Sequence, residues 1–212
     1  MLGQWPDKAI ERLSLYRRLL ANLAAERVKF IYSHELAQKA GRTAAQVRRD
    51  MMILGFSGSP TKGYEVARLI EAIGGFLDAG GLQEIALVGV GNLGRAILSY
   101  FAGRRPNLSI TAAFDSDPAK VDRVIHGCPC HRMEELASLV AVKSINTAIV
   151  AVPAGEAQAV ADALVGAGVC GLLNFAPVRL RVPGAVFVEN VDLTTSLEKV
   201  AFFARRQLLR QE

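Results

Sequence analysis

The sequence predicts an α/β protein in which an N-terminal winged helix-turn-helix domain precedes a Rossmann-type, doubly wound parallel sheet. Before residue 60, helical patterns are separated by a glycine turn and followed by a glycine-rich stretch. Beyond residue 81, β-rich runs alternate with helical patterns, which is typical of parallel strands joined by crossover helices. We therefore expect a winged-helix domain at residues 1–78, a nucleotide-binding fold at 82–192 and a separate C-terminal helix at 193–212.

The composition is that of a globular protein with a substantial core. Of 212 residues, 51% are hydrophobic and 21% are charged, which excludes an intrinsically disordered chain. Three cysteines are too few for a disulfide scaffold, and no apolar run approaches the ~20 residues that span a bilayer. The first residues lack a basic stretch followed by an apolar core, so no signal peptide is predicted and a cytoplasmic location is expected.

The first 60 residues have the pattern of a helix-turn-helix. A helix is predicted from about Asp7 to Ala25 because its apolar residues recur on one face. Ser33 is predicted to cap a second helix over residues 34–40, which Gly41 ends. Thr43 then begins a third helix that continues to about residue 54. Four glycine or proline residues between positions 55 and 63 favour a small β-wing over a further helix.

Positive charge is concentrated in the same part of the chain. The net charge is +5, and residues 27–62 alone hold seven basic and two acidic residues, also a net of +5. Such clustering is typical of a protein that binds a polyanion. In the third helix, Gln46, Arg48 and Arg49 are suited to DNA bases and phosphates, whereas Val47 and Met51 are predicted to face the core. The alternative is a solvated basic surface helix.

Strands and helices alternate in the second part of the chain, after a glycine-rich segment at residues 74–81. Strands are predicted at residues 85–88, 109–114, 147–152 and 171–175, and helices at 95–101 and 157–167. A doubly wound sheet follows from this order. The amphipathic segment at residues 193–210 comes after the last sheet element, so it must pack outside the sheet.

The first of these strands is predicted to end in a glycine-rich turn with the sequence Gly89-Val90-Gly91-Asn92-Leu93-Gly94. Gly89 permits the tight turn, Gly91 lets the backbone approach a pyrophosphate, and Gly94 allows close packing of helix on strand. Asp115, 21 residues past Gly94 at the end of the next strand, is placed to bind a ribose diol. No arginine follows it, so a 2′-phosphate would meet only negative charge, which favours NAD(H). The alternative is a glycine turn that binds nothing.

Two histidines and two cysteines cluster in the segment His126-Gly-Cys128-Pro-Cys130-His131. Zinc sites usually take ligands from two separated pairs, and no second pair exists here. We therefore predict an ordinary loop with no metal, and keep a metal site or a redox thiol pair as the alternative.

Groups for catalysis are scarce. The chain has three histidines, none near the glycine turn in sequence, and the nucleotide fold leaves no residues for a substrate domain. We therefore expect no enzyme activity. Two alternatives remain: an NAD-dependent oxidoreductase with an N-terminal helical extension, and a nucleotide- or CoA-binding module whose N-terminal helices mediate assembly.

Several segments, in order along the chain, resemble the Rex family of redox-sensing transcriptional repressors. They are RLSLYRRLL, VRRD, KGY, ALVGVGNLGRA, AAFDSDPAKV, AIVAVPAGEAQAVADALVGAG, GLLNFAPVRLRVP and VENVDLT. The resemblance covers nearly the whole chain, and VGVGNLG together with LNFAPVRL is far more specific than a fold pattern.

The resemblance implies a homodimer in which each C-terminal helix exchanges onto the partner's nucleotide domain. It implies binding to palindromic operator DNA when NADH is scarce, and release when NADH binds, with NADH and NAD⁺ as regulatory ligands. It also extends the predicted sites. The nucleotide site gains Val152, Pro153, Asn174 and Phe175. The DNA-binding surface gains Ser33, Ala44, Lys62, Gly63 and Tyr64. The switch between states would use Tyr100 and the partner's Asp192 as a pair, with Arg18.

The wing departs from the family pattern. Two consecutive basic residues are usual just after Gly58, but this chain has Ser59-Pro60-Thr61 and retains only Lys62. Because fewer phosphate contacts are then possible, weaker non-specific DNA binding and a different operator preference are expected.

Overall fold

The chain divides into two compact units. The computed structural model describes residues 5–104 and 107–208. Unit 1 ends at Gly81, and unit 2 begins at Leu82 and includes the C-terminal helix. Within the described ranges, no helix has both the length and the apolar character needed to cross a bilayer.

Unit 1 is a helix-turn-helix with a small antiparallel sheet. Its elements are α1 (Asp7–Ala25), β1 (Phe30–Ile31), α2 (Ser33–Ala40), α3 (Ala44–Ile53), β2 (Tyr64–Glu65) and α4 (Val66–Leu77). The predicted first helix is confirmed at both ends. Its apolar stripe is fully buried and packs with residues of α2, α3 and α4 in one core: Leu13, Tyr16, Leu20, Leu36, Val47, Met51, Leu69 and Ile73. Strands β1 and β2 pair with Ile31 opposite Tyr64, which forms the base of the predicted wing.

Helix boundaries in unit 1 correct one prediction and confirm another. Ser33 is not the N-cap of α2, because the helix begins at Ser33 and Tyr32 occupies the cap position. The Tyr32 N–H donates to the Glu35 carboxylate at 2.7 Å, so the start of the helix is stabilised by a glutamate of its first turn and not by the Ser33 hydroxyl. The predicted Thr43 cap is confirmed, since its hydroxyl accepts the Gln46 N–H at 3.2 Å.

Helix α4 was not predicted. It runs through Gly74 to Leu77, where the sequence analysis placed the start of a linker. Its buried residues, including Leu69 and Ile73, join the core that contains α1. This packing stabilises the helix enough to offset the cost of two consecutive glycines, about 1 kcal/mol each.

Unit 2 is a parallel sheet covered by helices. Its elements are β3 (Gln83–Val88), α5 (Asn92–Phe101), β4 (Leu108–Asp115), β5 (Arg123–Ile125), β6 (Cys128–Arg132), α6 (Leu136–Val142), β7 (Thr147–Val150), α7 (Ala154–Gly166), β8 (Gly171–Asn174), β9 (Phe187–Asn190) and α8 (Leu193–Leu208). The strand order is β5-β6-β4-β3-β7-β8-β9. Only the β5–β6 pair among these neighbours is antiparallel. Because β3 lies between β4 and β7, its carboxyl end is the switch point at which such sheets bind ligands.

Several details of unit 2 differ from prediction. The strand expected at 147–152 ends at Val150, since only residues 147–150 pair with β3 and β8. The loop expected at 126–131 is wrong: Cys128–Arg132 forms β6, which pairs with β4 and, through a hairpin, with β5. Helix α6 and strand β9 were not predicted. Cys128 and Cys130 are free and buried in β6, and burial, followed by the influence of Cys130, raises the pKa of Cys128 to about 11.

Helix α8 is exposed from residue 193 to residue 207 in the single chain. It is described from Leu193 to Leu208, and residues 209–212 of the predicted C-terminal helix lie outside the described residues. Five of its large apolar side chains are each more than half exposed: Leu193, Leu197, Val200, Phe202 and Phe203. Burying such side chains would be worth about 1.5–3 kcal/mol each, so the helix is suited to packing against another surface.

A candidate nucleotide site and a candidate nucleic-acid interface

The glycine turn between β3 and α5 leaves an open space at the start of the helix. Gly89 has φ +95°, and a side chain there would overlap the Ala151 carbonyl oxygen. A Cβ on Gly94 would overlap the Gly89 carbonyl oxygen. Gly89 is therefore required where the turn passes the segment after β7, and Gly94 is required for close packing of the helix on the strand. Gly91 differs, because a Cβ there would meet nothing within 4 Å, so its lack of a side chain keeps space free for a ligand.

This space opens into a cavity of about 300 Å³ whose lining includes Gly89, Gly91, Asp115, Lys120, Val152 and Pro153. It lies at the carboxyl ends of β3, β4 and β7. Peptide N–H groups in the first turn of α5 have no partners within the helix and carry a partial positive charge. The arrangement can bind a phosphate group at the helix start and a nucleoside in the cavity.

Asp115 lies at the end of β4 with 8% of its surface exposed. Its carboxylate accepts the Val90 N–H at 2.7 Å and the Asp117 N–H at 2.9 Å. Burial alone raises the pKa of Asp115, but these two bonds and the Lys120 ammonium outweigh it, so the pKa is lowered. The carboxylate is held ionised in one orientation, as an acceptor for a ribose diol must be.

Lys120 is a residue of this site that the sequence analysis missed. Its ammonium lies 3.2 Å from the Asp115 carboxylate and 3.4 Å from that of Asp117. The prediction that a 2′-phosphate would meet only negative charge is therefore wrong. The three groups still sum to a charge of −1, so the preference for a ribose without a 2′-phosphate stands. Lys120 follows Asp115 by five residues. Had the turn between them been predicted, this spacing would have placed the lysine beside the carboxylate.

The other predicted nucleotide residues fall into two groups. Val152 and Pro153 line the cavity, and Asn92 and Leu93 occupy the exposed first turn of α5.

Asn174 does not line the cavity. It is fully buried, its amide donates to the Val178 carbonyl at 2.8 Å, and its own oxygen accepts the Ala176 N–H at 3.0 Å. Its evident role is to hold the loop after β8, while Phe175 packs in the neighbouring apolar cluster.

Helix α3 presents an exposed basic face. Val47 and Met51 are buried as predicted, and Arg48 and Arg49 on the same helix are exposed. The Arg48 guanidinium donates to the Ser33 hydroxyl at 3.2 Å, which links α3 to the start of α2. Ala44 is half-buried in the first turn. This face can place two guanidinium groups on DNA.

Asp50 forms a buried polar network beneath that face. It is fully buried, and Arg12 of α1 donates to both of its oxygens at 2.7 Å. The Tyr16 hydroxyl donates at 2.9 Å and the Gln46 amide at 3.1 Å. Burial alone raises the pKa of Asp50, but the hydrogen bonds from Arg12, Gln46 and Tyr16 outweigh it, so the pKa is lowered. Gln46, predicted to contact DNA, thus turns its amide NH₂ toward Asp50.

The wing contains one exposed predicted residue and two that hold its shape. Lys62 is exposed at the tip. Gly63 has φ +75°, and a side chain there would overlap the Ile31 backbone. Tyr64 is only 7% exposed, and its ring packs on Phe56. Of the predicted DNA-binding residues in the wing, Lys62 is therefore the one whose side chain faces solvent.

Comparison with known proteins identifies the chain. A family profile described as a CoA binding domain matches residues 82–178, and one described as a putative DNA-binding protein N-terminus matches residues 5–51. The redox-sensing transcriptional repressor Rex of Latilactobacillus sakei is 37% identical, with 93% of this chain and 95% of the relative covered. Rex of Chloroflexus aurantiacus is 39% identical, with 95% of each chain covered. The chain belongs to the Rex family.

Solved structures of a Rex repressor match the chain along nearly its whole length. The crystal structure of RSP, a Rex-family repressor, is 32% identical with a TM-score of 0.86, covering 99% of this chain and 98% of that one. RSP in complex with β-NAD⁺ and operator DNA has a TM-score of 0.89, with 99% and 96% covered. The predicted family and fold class are confirmed.

The three residues expected to form the Rex switch lie at exposed positions. Arg18 is exposed on α1 of unit 1. Tyr100 on α5 is 55% exposed, and the Arg104 guanidinium lies 4.4 Å from its ring centre. Asp192 precedes α8 and accepts both the N–H and the hydroxyl of Thr195, which lowers its pKa. Pairing of Tyr100 with the partner's Asp192 stays a prediction.

Proposed function

We propose that this Rex protein is an NADH-responsive transcriptional repressor that binds operator DNA through α3 and the wing. One observation carries the proposal: the same chain has an open dinucleotide cradle at Gly91 and exposed arginines on a helix-turn-helix. RSP, 32% identical to this chain, has been solved with β-NAD⁺ and operator DNA together, and also with β-NADH.

NADH is the ligand expected to release the DNA. NAD⁺ and NADH differ by one positive charge on the nicotinamide ring. The predicted ligand residues Val152, Pro153 and Phe175 are apolar, so they do not offset the cost of removing that cation from water. A thousandfold preference for NADH needs about 4 kcal/mol, a magnitude that partial desolvation of one cation can supply. NADH must also bind one dimer geometry better than the other to act as a switch.

We propose a homodimer whose C-terminal helices exchange between protomers. The exposed apolar face of α8 supports this arrangement, because a partner surface would remove those side chains from water. A dimer of helix-turn-helix units places two recognition helices in successive major grooves of a palindrome, about 34 Å apart. A rotation between protomers is then enough to break one of the two contacts.

Since the target is chromosomal DNA, we place the protein in the cytoplasm.

We propose that the protein has no catalytic turnover, because none of its three histidines lines the nucleotide cavity. Absorbance at 340 nm is therefore expected to stay constant when NADH is mixed with candidate substrates.

The charges of the cavity disfavour the alternative of a CoA-binding module. The 3′-phosphate on the ribose of CoA would approach Asp115, Asp117 and Lys120, whose charges sum to −1.

The proposal is tested by fluorescence anisotropy of a labelled duplex from the region upstream of the protein's own gene, titrated at fixed salt. Tight binding with NAD⁺ and release by NADH are expected. Binding that ignores both nucleotides would refute the redox switch. Absence of binding to this duplex and to a library of palindromic duplexes would refute the repressor function.

Arg49→Ala is expected to weaken operator binding about tenfold, because an exposed guanidinium at the DNA surface is lost. The slope of log K against log salt should fall by about 1 for each phosphate contact removed. Arg123→Ala is the matched control: it removes the same charge from an exposed position on β5 in unit 2. Equal binding by wild type and Arg49→Ala would remove α3 from the DNA interface.

A further inference from the structure

The wing tip is a compact loop closed on itself. The Ser59 N–H donates to the Gly63 carbonyl at 2.7 Å, and the Gly63 N–H donates back to the Ser59 carbonyl at 2.8 Å. Between them, the Ser59 hydroxyl accepts the Thr61 and Lys62 N–H groups at 3.3 Å each. Residues 60–62 therefore form a short turn of defined shape. Lys62 is the one basic residue in it.

One short segment, residues 30–32, holds this loop at three points. The Lys62 ammonium lies 5.7 Å from the centre of the Phe30 ring, within the range of a cation–π contact. Gly63 packs so closely on Ile31 that a side chain would not fit. The Tyr32 hydroxyl donates to the Thr61 carbonyl at 2.5 Å. Of these three contacts, the last is the one hydrogen bond, and a side chain of the segment donates it.

The residue after this segment, Ser33, contacts the recognition helix α3. Tyr32 occupies the cap position of α2, and its ring stacks on His34 with ring centres 5.6 Å apart and planes 19° apart. The next residue, Ser33, accepts the hydrogen bond from Arg48 on α3. A groove of about 420 Å³ lies between the wing and α3, and Tyr32, Ser33 and Arg48 are among its lining residues. Tyr32 thus joins the wing tip to the element that orients Arg48.

We propose that Tyr32 is a positioning residue that holds the wing tip at a fixed place beside α3, so that Lys62 reaches DNA phosphates together with the arginines of α3. This inference rests on the proposed function. Residues 57–63 of the wing contain a single cation, Lys62. A single cation contributes more to binding when its position is set in advance, because less side-chain and loop entropy is then lost on binding. The Tyr32 hydroxyl provides that restraint through Thr61.

A double-mutant cycle on operator affinity tests the proposal. Tyr32→Phe removes only an exposed hydroxyl, and its far-UV circular dichroism is expected to match wild type. It should weaken operator binding about fivefold, the effect of one hydrogen bond of ordinary strength. Lys62→Ala should weaken binding about fivefold in wild type, but by less than about twofold in the Tyr32→Phe background, because an unrestrained lysine contributes little.

The control is Arg49→Ala in both backgrounds, whose cost is expected to be the same because Arg49 lies on α3 and not on the wing. The affinity for NADH should also be unchanged in Tyr32→Phe, because the nucleotide cavity lies in unit 2 and Tyr32 in unit 1. An undiminished cost of Lys62→Ala in the Tyr32→Phe background would overturn the positioning role while leaving the repressor function intact. Failure of the wild-type protein to bind any operator would overturn both.

Discussion

Asp50→Ala is expected to lower the free energy of unfolding of unit 1 by about 3 kcal/mol and to abolish operator binding with it. The substitution leaves the Arg12 guanidinium, which is 15% exposed, without its carboxylate partner, and also frees the buried Tyr16 hydroxyl. An uncompensated charge at such a position costs more than the lost bonds alone. Helix α3 would then lose its principal polar attachment to α1.

The single tryptophan makes this measurement specific to unit 1. Trp5 packs edge-on against Phe76 with ring centres 5.0 Å apart, so its fluorescence reports unfolding of that unit during a urea titration. Glu71→Ala removes an exposed carboxylate from α4 in the same unit and should shift the midpoint little, by less than about 0.5 kcal/mol. If Asp50→Ala unfolds at the same urea concentration as Glu71→Ala, the network does not stabilise the unit.

The pH dependence of this difference has a defined sign. Because the pKa of Asp50 is lowered in the folded protein, its contribution is fully present above its unfolded value, about 3.9. The contribution is lost as the pH falls through the folded value. The stability difference between wild type and Asp50→Ala should therefore be constant near neutral pH and shrink in acid below about pH 4.

Gly91→Val is expected to abolish the NADH response and leave operator binding intact. A Cβ at this position meets no protein atom within 4 Å, and the backbone angles of φ −77° and ψ −162° suit any residue. The fold should tolerate the change. The added side chain, however, fills the space at the start of α5 through which a pyrophosphate reaches the helix N–H groups. A loss of at least about hundredfold in NADH affinity, or 2.7 kcal/mol, is expected.

Calorimetric titration with NADH and anisotropy with operator DNA measure the two effects separately. Gly94→Ala is the informative comparison, because its Cβ would overlap the Gly89 carbonyl oxygen and destabilise unit 2 itself. Gly91→Val should thus keep the thermal stability of wild type, while Gly94→Ala should lose several degrees. If Gly91→Val still releases operator on addition of NADH, the nucleotide is bound elsewhere.

Local chemistry explains which elements the sequence could predict. The bounds of α1 were predicted correctly because a periodic apolar stripe determines both where the helix forms and which of its faces is buried. The glycine turn and Asp115 were recognisable because each needs a particular residue at a particular backbone position. The predicted strand at 147–152 was too long because pairing with β3 and β8, and not composition, ends it at Val150.

Contacts between distant segments explain what was missed. Strand β6, with the sequence CPCHR, has little β character of its own and forms by pairing with β4. Asp50 was counted among the charges of a basic segment, yet its partner Arg12 is 38 residues away. The Thr61 carbonyl meets a tyrosine 29 residues earlier in the chain. No periodicity or spacing rule relates residues so far apart.

The sequence by itself determined the fold class and the nucleotide turn, because these depend on apolar periodicity and on glycines that local geometry requires. It also indicated the family, through the resemblance of segments such as VGVGNLG and LNFAPVRL to those of Rex repressors. Only the tertiary structure decided which polar residues work together. It placed Asp50 under the recognition helix, Lys120 beside Asp115 and Tyr32 against the wing, and it turned Gln46 and Tyr64 inward. The physical reason is that a side chain's environment is set by the elements packed against it, which chain folding brings together from distant positions.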